Sequence, residues 1–145
     1  MRSKLLVMEA CAALTVIFAV PVAAHHAFTA EFDANRPVLL RGKIVKVELV
    51  NPHAWIHIEV PKEGGGTDMW MVEGGSPNSL LRLGVTKGTL PIGTEVIVDG
   101  YQSKDRSNRA NGRDITLPDG RKLFLGSSAG DSPGAPPAKA SEPGK

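Results

Sequence analysis

The chain holds a single cysteine, Cys11, and it lies inside an apolar N-terminal stretch. Nothing after Ala24 carries a thiol. That excludes disulfides, thiolate metal sites and a cysteine nucleophile from the body of the protein. Aromatic residues make up only 5% of the chain, too few for a surface built on repeated base stacking. Charge of one sign is missing as well, with 17 basic residues against 15 acidic ones. Of these, Arg2, Lys4 and Glu9 lie in the first 24 residues, which leaves 15 against 14. A strongly polyanionic or polycationic partner is therefore not the default, and no nucleic acid is expected. There is no internal repeat.

What is present begins with a charged start (Arg2, Lys4), an apolar run from Leu5 to Val22, and the small residues Ala23 and Ala24. This is the layout of a secretory signal peptide cut after Ala24. An uncleaved anchor is the alternative, but Glu9 interrupts the run and Pro21 breaks its end. Met8-Glu9-Ala10 is a poor lipobox before Cys11, so lipidation is rejected. The expected location is periplasmic or secreted, with no stable membrane span after cleavage. At the other end, residues 127–145 are rich in Ser, Gly, Ala and Pro and hold no apolar residue larger than Ala. Such a tail cannot bury enough surface to offset its ordering entropy. The expected organisation is a leader at 1–24, one domain at 25–126 and a disordered tail at 127–145.

The domain reads as β-rich. Val45, Val47 and Leu49 alternate with Lys46 and Glu48, which predicts a half-buried strand over Lys43–Val50. Asn51-Pro52 ends it. In a second strand, Ala54–Val60, one face carries Ala54, Ile56 and Ile58 and the other Trp55, His57 and Glu59. A third runs Asp68–Glu73. Ser76 (cap), Pro77 (first turn) and Gly84 (past the end) then frame a short helix. Strands at Glu95–Tyr101, Arg113–Leu117 and Arg121–Leu125 follow, with a polar loop at Gln102–Gly112 and a turn at Pro118-Asp119-Gly120. Three strands, a short helix and two or three strands is the order of an OB-like five-stranded Greek-key barrel, all-β with one helix. An open β-sandwich is the alternative.

Several motifs occur together: His25-His26-Ala27-Phe28, Glu31-Phe32-Asp33, Gly42-Lys43-Ile44-Val45, Asn51-Pro52-His53, Trp70-Met71-Val72-Glu73, Ser76-Pro77-Asn78-Ser79-Leu80 and Arg82-Leu83-Gly84. As a set they resemble a family of small exported bacterial proteins of unknown function, over about residues 25 to 125. The resemblance implies export and a compact β-domain, and brings no catalytic residues with it. The Pro/Ala/Gly tail departs from the pattern.

Chemistry concentrates in four histidines, His25, His26, His53 and His57. Cleavage after Ala24 would give His25 a free α-amine beside its imidazole, a chelating pair for copper or a similar metal. His53 and His26 are the candidate further ligands. His53 and His57 share a strand face about 13 Å apart and do not reach one ion together. The break at Asn51-Pro52 favours His53. The plainer alternative gives the imidazoles structural roles. Met69 and Met71 are read as core or interface residues. Enzymatic readings are weak: Gly74-Gly75-Ser76-Pro77 is not a nucleophile elbow, and Glu31, Asp33, Glu59 and Glu73 have no partner legible in the sequence. The loop bearing Lys104, Arg106, Arg109 and Arg113 lines the groove in an OB-type barrel. That makes Trp55, His57 and Arg106 candidate ligand-binding residues, for an envelope protein, a glycan or a small anion. The expectation is an exported binding or accessory module, with or without a metal.

Overall fold

Alternating apolar residues along five segments give strands whose inner faces meet in one core. The computed structural model describes residues 28–126. The leader, Cys11, His25, His26 and the tail from 127 onward lie outside the described residues. A helical turn at 28–31 opens the described chain. Strands β1 (Phe32–Glu48), β2 (Trp55–Pro61) and β3 (Thr67–Glu73) follow. Helix α1 (Pro77–Arg82) separates them from β4 (Glu95–Ser103), β5 (Arg109–Thr116) and β6 (Lys122–Phe124).

The hydrogen-bonded order is β3-β2-β1-β4-β5, and β5 returns to β3. The returning pairs run parallel: Met71 with Arg109, Val72 with Ala110, Glu73 with Asn111. An open sandwich would leave those two strands apart. The result is the OB-like barrel, with β6 added outside the ring along β5. The core contains Leu40, Ile44, Ile56, Ile58, Val72, Val98 and Ile115. Burying side chains of this size contributes about 1.5–3 kcal/mol each.

Strand β1 makes closure possible. It pairs with β4 up to Lys43 and with β2 from Lys43 onward. At the transfer point sits Gly42, where a Cβ would stand 2.3 Å from the carbonyl oxygen of Glu59. Only a residue without a side chain fits that crossing. The predicted helix has the predicted ends. Ser76 Oγ accepts from the Ser79 backbone N–H at 3.3 Å, and Gly84 takes φ 80° just past the helix. At six residues α1 needs tertiary support, which buried Leu80 supplies.

Several strand boundaries differ from the sequence expectation. The first strand begins at Phe32 instead of Lys43, and the polar loop shrinks because β4 runs to Ser103 and β5 starts at Arg109. Among the described residues no helix is long and apolar enough to cross a membrane.

Candidate functional site

Period-two alternation sends Ile56 and Ile58 inward, so Trp55, His57 and Glu59 face out from β2. The register sets Trp55 opposite Glu73, His57 opposite Met71 and Glu59 opposite Met69. Strand β5 adds Arg109 beside Met71 and Asn111 beside Glu73. The outer face of β2–β3, flanked by the β1–β2 and β4–β5 loops, is thus where polar chemistry collects.

At its centre are two residues from different segments. His53 Nδ1 lies 2.7 Å from Glu73 Oε1. The His53 side chain is 37% exposed and that of Glu73 only 9%. A carboxylate this enclosed needs a strong partner. Burial pushes the Glu73 carboxyl above its ordinary value, His53 and Arg109 oppose the rise, and Glu31 adds to it. With Glu73 ionised, the shared proton sits on Nδ1, which fixes the imidazole and leaves Nε2 as its reactive nitrogen.

Around this pair runs a second chain of contacts. Arg109 Nη2 donates to Glu31 Oε2 at 2.9 Å. The same guanidinium lies over the Trp55 ring, 5.4 Å from its centroid. Contacts of this kind contribute about 0.5–1 kcal/mol at exposed sites. The His53–Glu73 pair and the Glu31–Arg109–Trp55 set are two groups of contacts, and Arg109 and Glu31 act on Glu73 electrostatically.

The other candidate residues fall around it. His57 Nε2 lies 2.7 Å from Glu48 Oε2, and Lys46 Nζ reaches the other oxygen of the same carboxylate at 2.7 Å. Those two hydrogen bonds hold the Glu48 carboxyl below its usual range. His53, which precedes β2 instead of sharing its face, and His57, on that face, thus each have a carboxylate of their own. Arg106 is exposed at the tip of the β4–β5 loop, with φ 64°. Arg109, three residues on, is the arginine that reaches Trp55. Met69 is 46% exposed on the outer face and so is not a core residue. His25 and His26 lie outside the described residues. Among the described residues no three His, Cys, Asp or Glu side chains gather as a metal group.

Sequence reasoning named Glu73 and Arg109 without finding their partners. One signal was available: a lone acid ending an apolar strand, just before Gly74-Gly75. What it lacked was the register that brings His53 and Arg109 to it. A groove of about 590 Å³ lies elsewhere, at the opposite end of the barrel, between Arg41, Lys43, Glu59, Glu95 and Leu117. Its lining holds no imidazole and no buried acid.

Fold and site together define a small OB-like barrel in which an enclosed carboxylate is paired with a partly exposed imidazole. The chain belongs to a family of unknown function, DUF6152, whose model matches residues 13–112. No curated protein and no solved structure matches the chain.

Proposed function

We propose that the protein is an exported binding module that takes a copper-type ion on the outer face of β2–β3. The ligands are Nε2 of His53, the α-amine and ring of His25 after cleavage at Ala24, and His26 as an alternative donor. One observation carries the reading: the 2.7 Å contact between His53 Nδ1 and the enclosed Glu73 carboxylate. Metal-binding histidines commonly give their second nitrogen to a carboxylate, which orients the ring and raises its basicity. Nitrogen donors in a tetragonal set favour Cu(II).

The position of the described N-terminus supports it. Glu31 belongs to the turn at 28–31 and is tied to Arg109, on the same face as His53 and Glu73. His25 precedes Phe28 by three residues, a reach of about 10 Å in extended chain. Isothermal titration of Cu(II) into protein starting at His25, beside protein with one extra residue before it, tests the proposal. The extra residue blocks the amine and is expected to weaken binding at least tenfold. Equal affinities, or no binding, would end it.

A second reading is a metal-free interaction module. The indole of Trp55 under Arg109 is a surface suited to a glycan or an envelope protein. On that reading, in-cell crosslinking recovers a partner that survives His53→Ala and is lost with Trp55→Ala or Arg106→Ala.

A further inference from the structure

After Ala24 the chain holds two methionines, Met69 and Met71, and both are on β3. Val72 is fully buried and Trp70 packs against the core, so alternation turns Met69 and Met71 to the outer face. Met69 is 46% exposed there, and core packing does not account for it.

The strand across from them supplies an imidazole. His57 is the register partner of Met71, and Glu59 that of Met69. His57 faces out with them, since Ile56 and Ile58 point inward. Side chains directly opposite on one face have Cβ atoms about 4.5–5.5 Å apart, and diagonal neighbours are about 7–8 Å apart. Met71 is thus the near neighbour of His57 and Met69 the diagonal one. Three rotatable bonds let each thioether swing toward the ring.

The ring is prepared as a ligand. Its Nε2 lies 2.7 Å from Glu48 Oε2. Lys46 and His57 together hold that carboxyl below its usual range, so it is ionised. The proton is then on Nε2, and the free lone pair is on Nδ1. Nδ1 makes no hydrogen bond among the described residues. Every buried side-chain nitrogen or oxygen among them has a partner, so Nδ1 is open to solvent. A carboxylate on the far nitrogen is the usual support of a metal-binding imidazole.

We infer that Met69, Met71 and His57 form a site for a soft monovalent cation, Cu(I), on the outer face of β2–β3. Thioethers select Cu(I) over harder ions, and imidazole suits copper as well. All three donors are neutral, and Glu59, on the same face opposite Met69, supplies negative charge nearby. Arg109, beside Met71 on the other side, carries a like charge that Glu31 offsets at 2.9 Å. The site goes beyond the Cu(II) reading above and uses none of its ligands.

The test uses protein starting at His25, which has no thiol and no other methionine. Ag(I) is the redox-silent probe for nuclear magnetic resonance of the methionine methyls. Cu(I) affinity is measured anaerobically by competition with a chromophoric chelator. The variants are Met69→Leu and Met71→Leu, which nearly keep side-chain volume, His57→Gln, and His53→Ala as a control outside the site. Circular dichroism confirms that each folds. One equivalent of Ag(I) is expected to move both methyl signals and the His57 ring signals. The Cu(I) Kd is expected to rise about tenfold or more in Met71→Leu and His57→Gln, to rise less in Met69→Leu, and to stay unchanged in His53→Ala. Methyl signals that do not move, or wild-type affinity in both methionine variants, would overturn the site. So would a loss in His53→Ala as large as in Met71→Leu, since the ion would then be held at His53. The Cu(II) titration reads different ligands, so either site can fail while the other stands.

Discussion

The two ends of the barrel use charge in opposite ways. At one end β2 begins, β3 and β4 finish and β5 starts, and the ionisable groups there are paired: His53 with Glu73, Arg109 with Glu31, His57 with Glu48. At the other, Arg41, Lys43, Glu59 and Glu95 line the groove. Among the described residues these four make no side-chain ion pair, although Lys43 has Glu59 and Glu95 as its register partners. Water satisfies the exposed charges at the groove. At the paired end one acid is enclosed, and water cannot. Cavity volume points to the groove end; burial of a titratable group, with its partner named, points to the paired end.

The backbone is equally strict at both ends, and the largest effects are expected there. A Cβ on Gly42 would stand 2.3 Å from the Glu59 carbonyl oxygen, and one on Gly100 would stand 2.2 Å from that of Asn111. Neither strand can move aside without breaking its ladder. Gly42→Ala and Gly100→Ala should each cost roughly 1–3 kcal/mol in urea unfolding. Their local consequences should differ. Asn111 faces Glu73 across the β3–β5 seam, so only Gly100→Ala is expected to shift the His53 ring resonances. Equal shifts from Gly42→Ala would show that the ends are not independent.

A smaller effect separates the two kinds of acid. Burial holds the Glu73 carboxyl above its ordinary 4.5. A group with a raised pKa in the folded state binds its proton more tightly there than in the unfolded chain. Its stabilising contribution is complete below 4.5 and disappears as pH rises through the raised value. Glu73→Gln imitates the protonated acid. Wild type should therefore match the variant near pH 4 and fall behind it by about pH 7, as read from urea midpoints. Glu59→Gln, at the groove, should leave the profile unchanged. If wild type instead gains on Glu73→Gln as pH rises, pairing with His53 outweighs burial, and the carboxylate is a net support for the imidazole.

The paired end was also the harder one to read in the sequence. Strand β2 and its two faces followed from alternation, and the helix from Ser76, Pro77 and Gly84 at its ends. The first half of strand β5 did not, because Arg109-Ala110-Asn111-Gly112 has the composition of a loop. Its small residues are there for closure: Ala110 is fully buried, and a Cβ on Gly112 would come 2.7 Å from Val72 Cγ1. A strand selected for close approach loses the large apolar residues by which strands are recognised. The first half of β1 was hidden for a related reason. Asp33 to Arg36 shows no alternation and has no register partner: the ladder is irregular between Phe32, opposite Ser103, and Pro37, opposite Tyr101, and Phe32 packs in the cluster with Phe28 and Tyr101. The site was half legible. His53 was singled out by its place beside Asn51-Pro52, but its partner was not, since registers between strands are not written in either strand alone.

The smallest expected effect compares the loops at the two ends. The β2–β3 loop turns on Gly64, Gly65 and Gly66, all with positive φ, and the ion pair of Lys62 with Asp68 closes its base at 3.0 Å. The β4–β5 loop is organised by a carboxylate. Asp105 Oδ1 accepts from Ser103 Oγ at 2.7 Å, from Ser107 Oγ at 2.8 Å and from the Ser107 backbone N–H at 2.9 Å. Those donors, Ser103 first, bring its pKa down to about 2. The contribution of a depressed acid is present above its ordinary 3.8 and is lost as pH falls through about 2. Asp105 is solvent-exposed, so global stability should barely change in Asp105→Asn. The effect should appear locally, as faster amide exchange at Ser107 near neutral pH, and the difference from wild type should close only as the pH falls through about 2. Asp68→Asn, in the glycine loop, should speed no amide comparably, because backbone conformation and not a carboxylate sets that turn. Unchanged exchange at Ser107 in Asp105→Asn would mean that the strands alone hold the β4–β5 loop. Lys104 and Arg109 would then owe their positions to β4 and β5, and the carboxylate at the loop's centre would be incidental to the paired end.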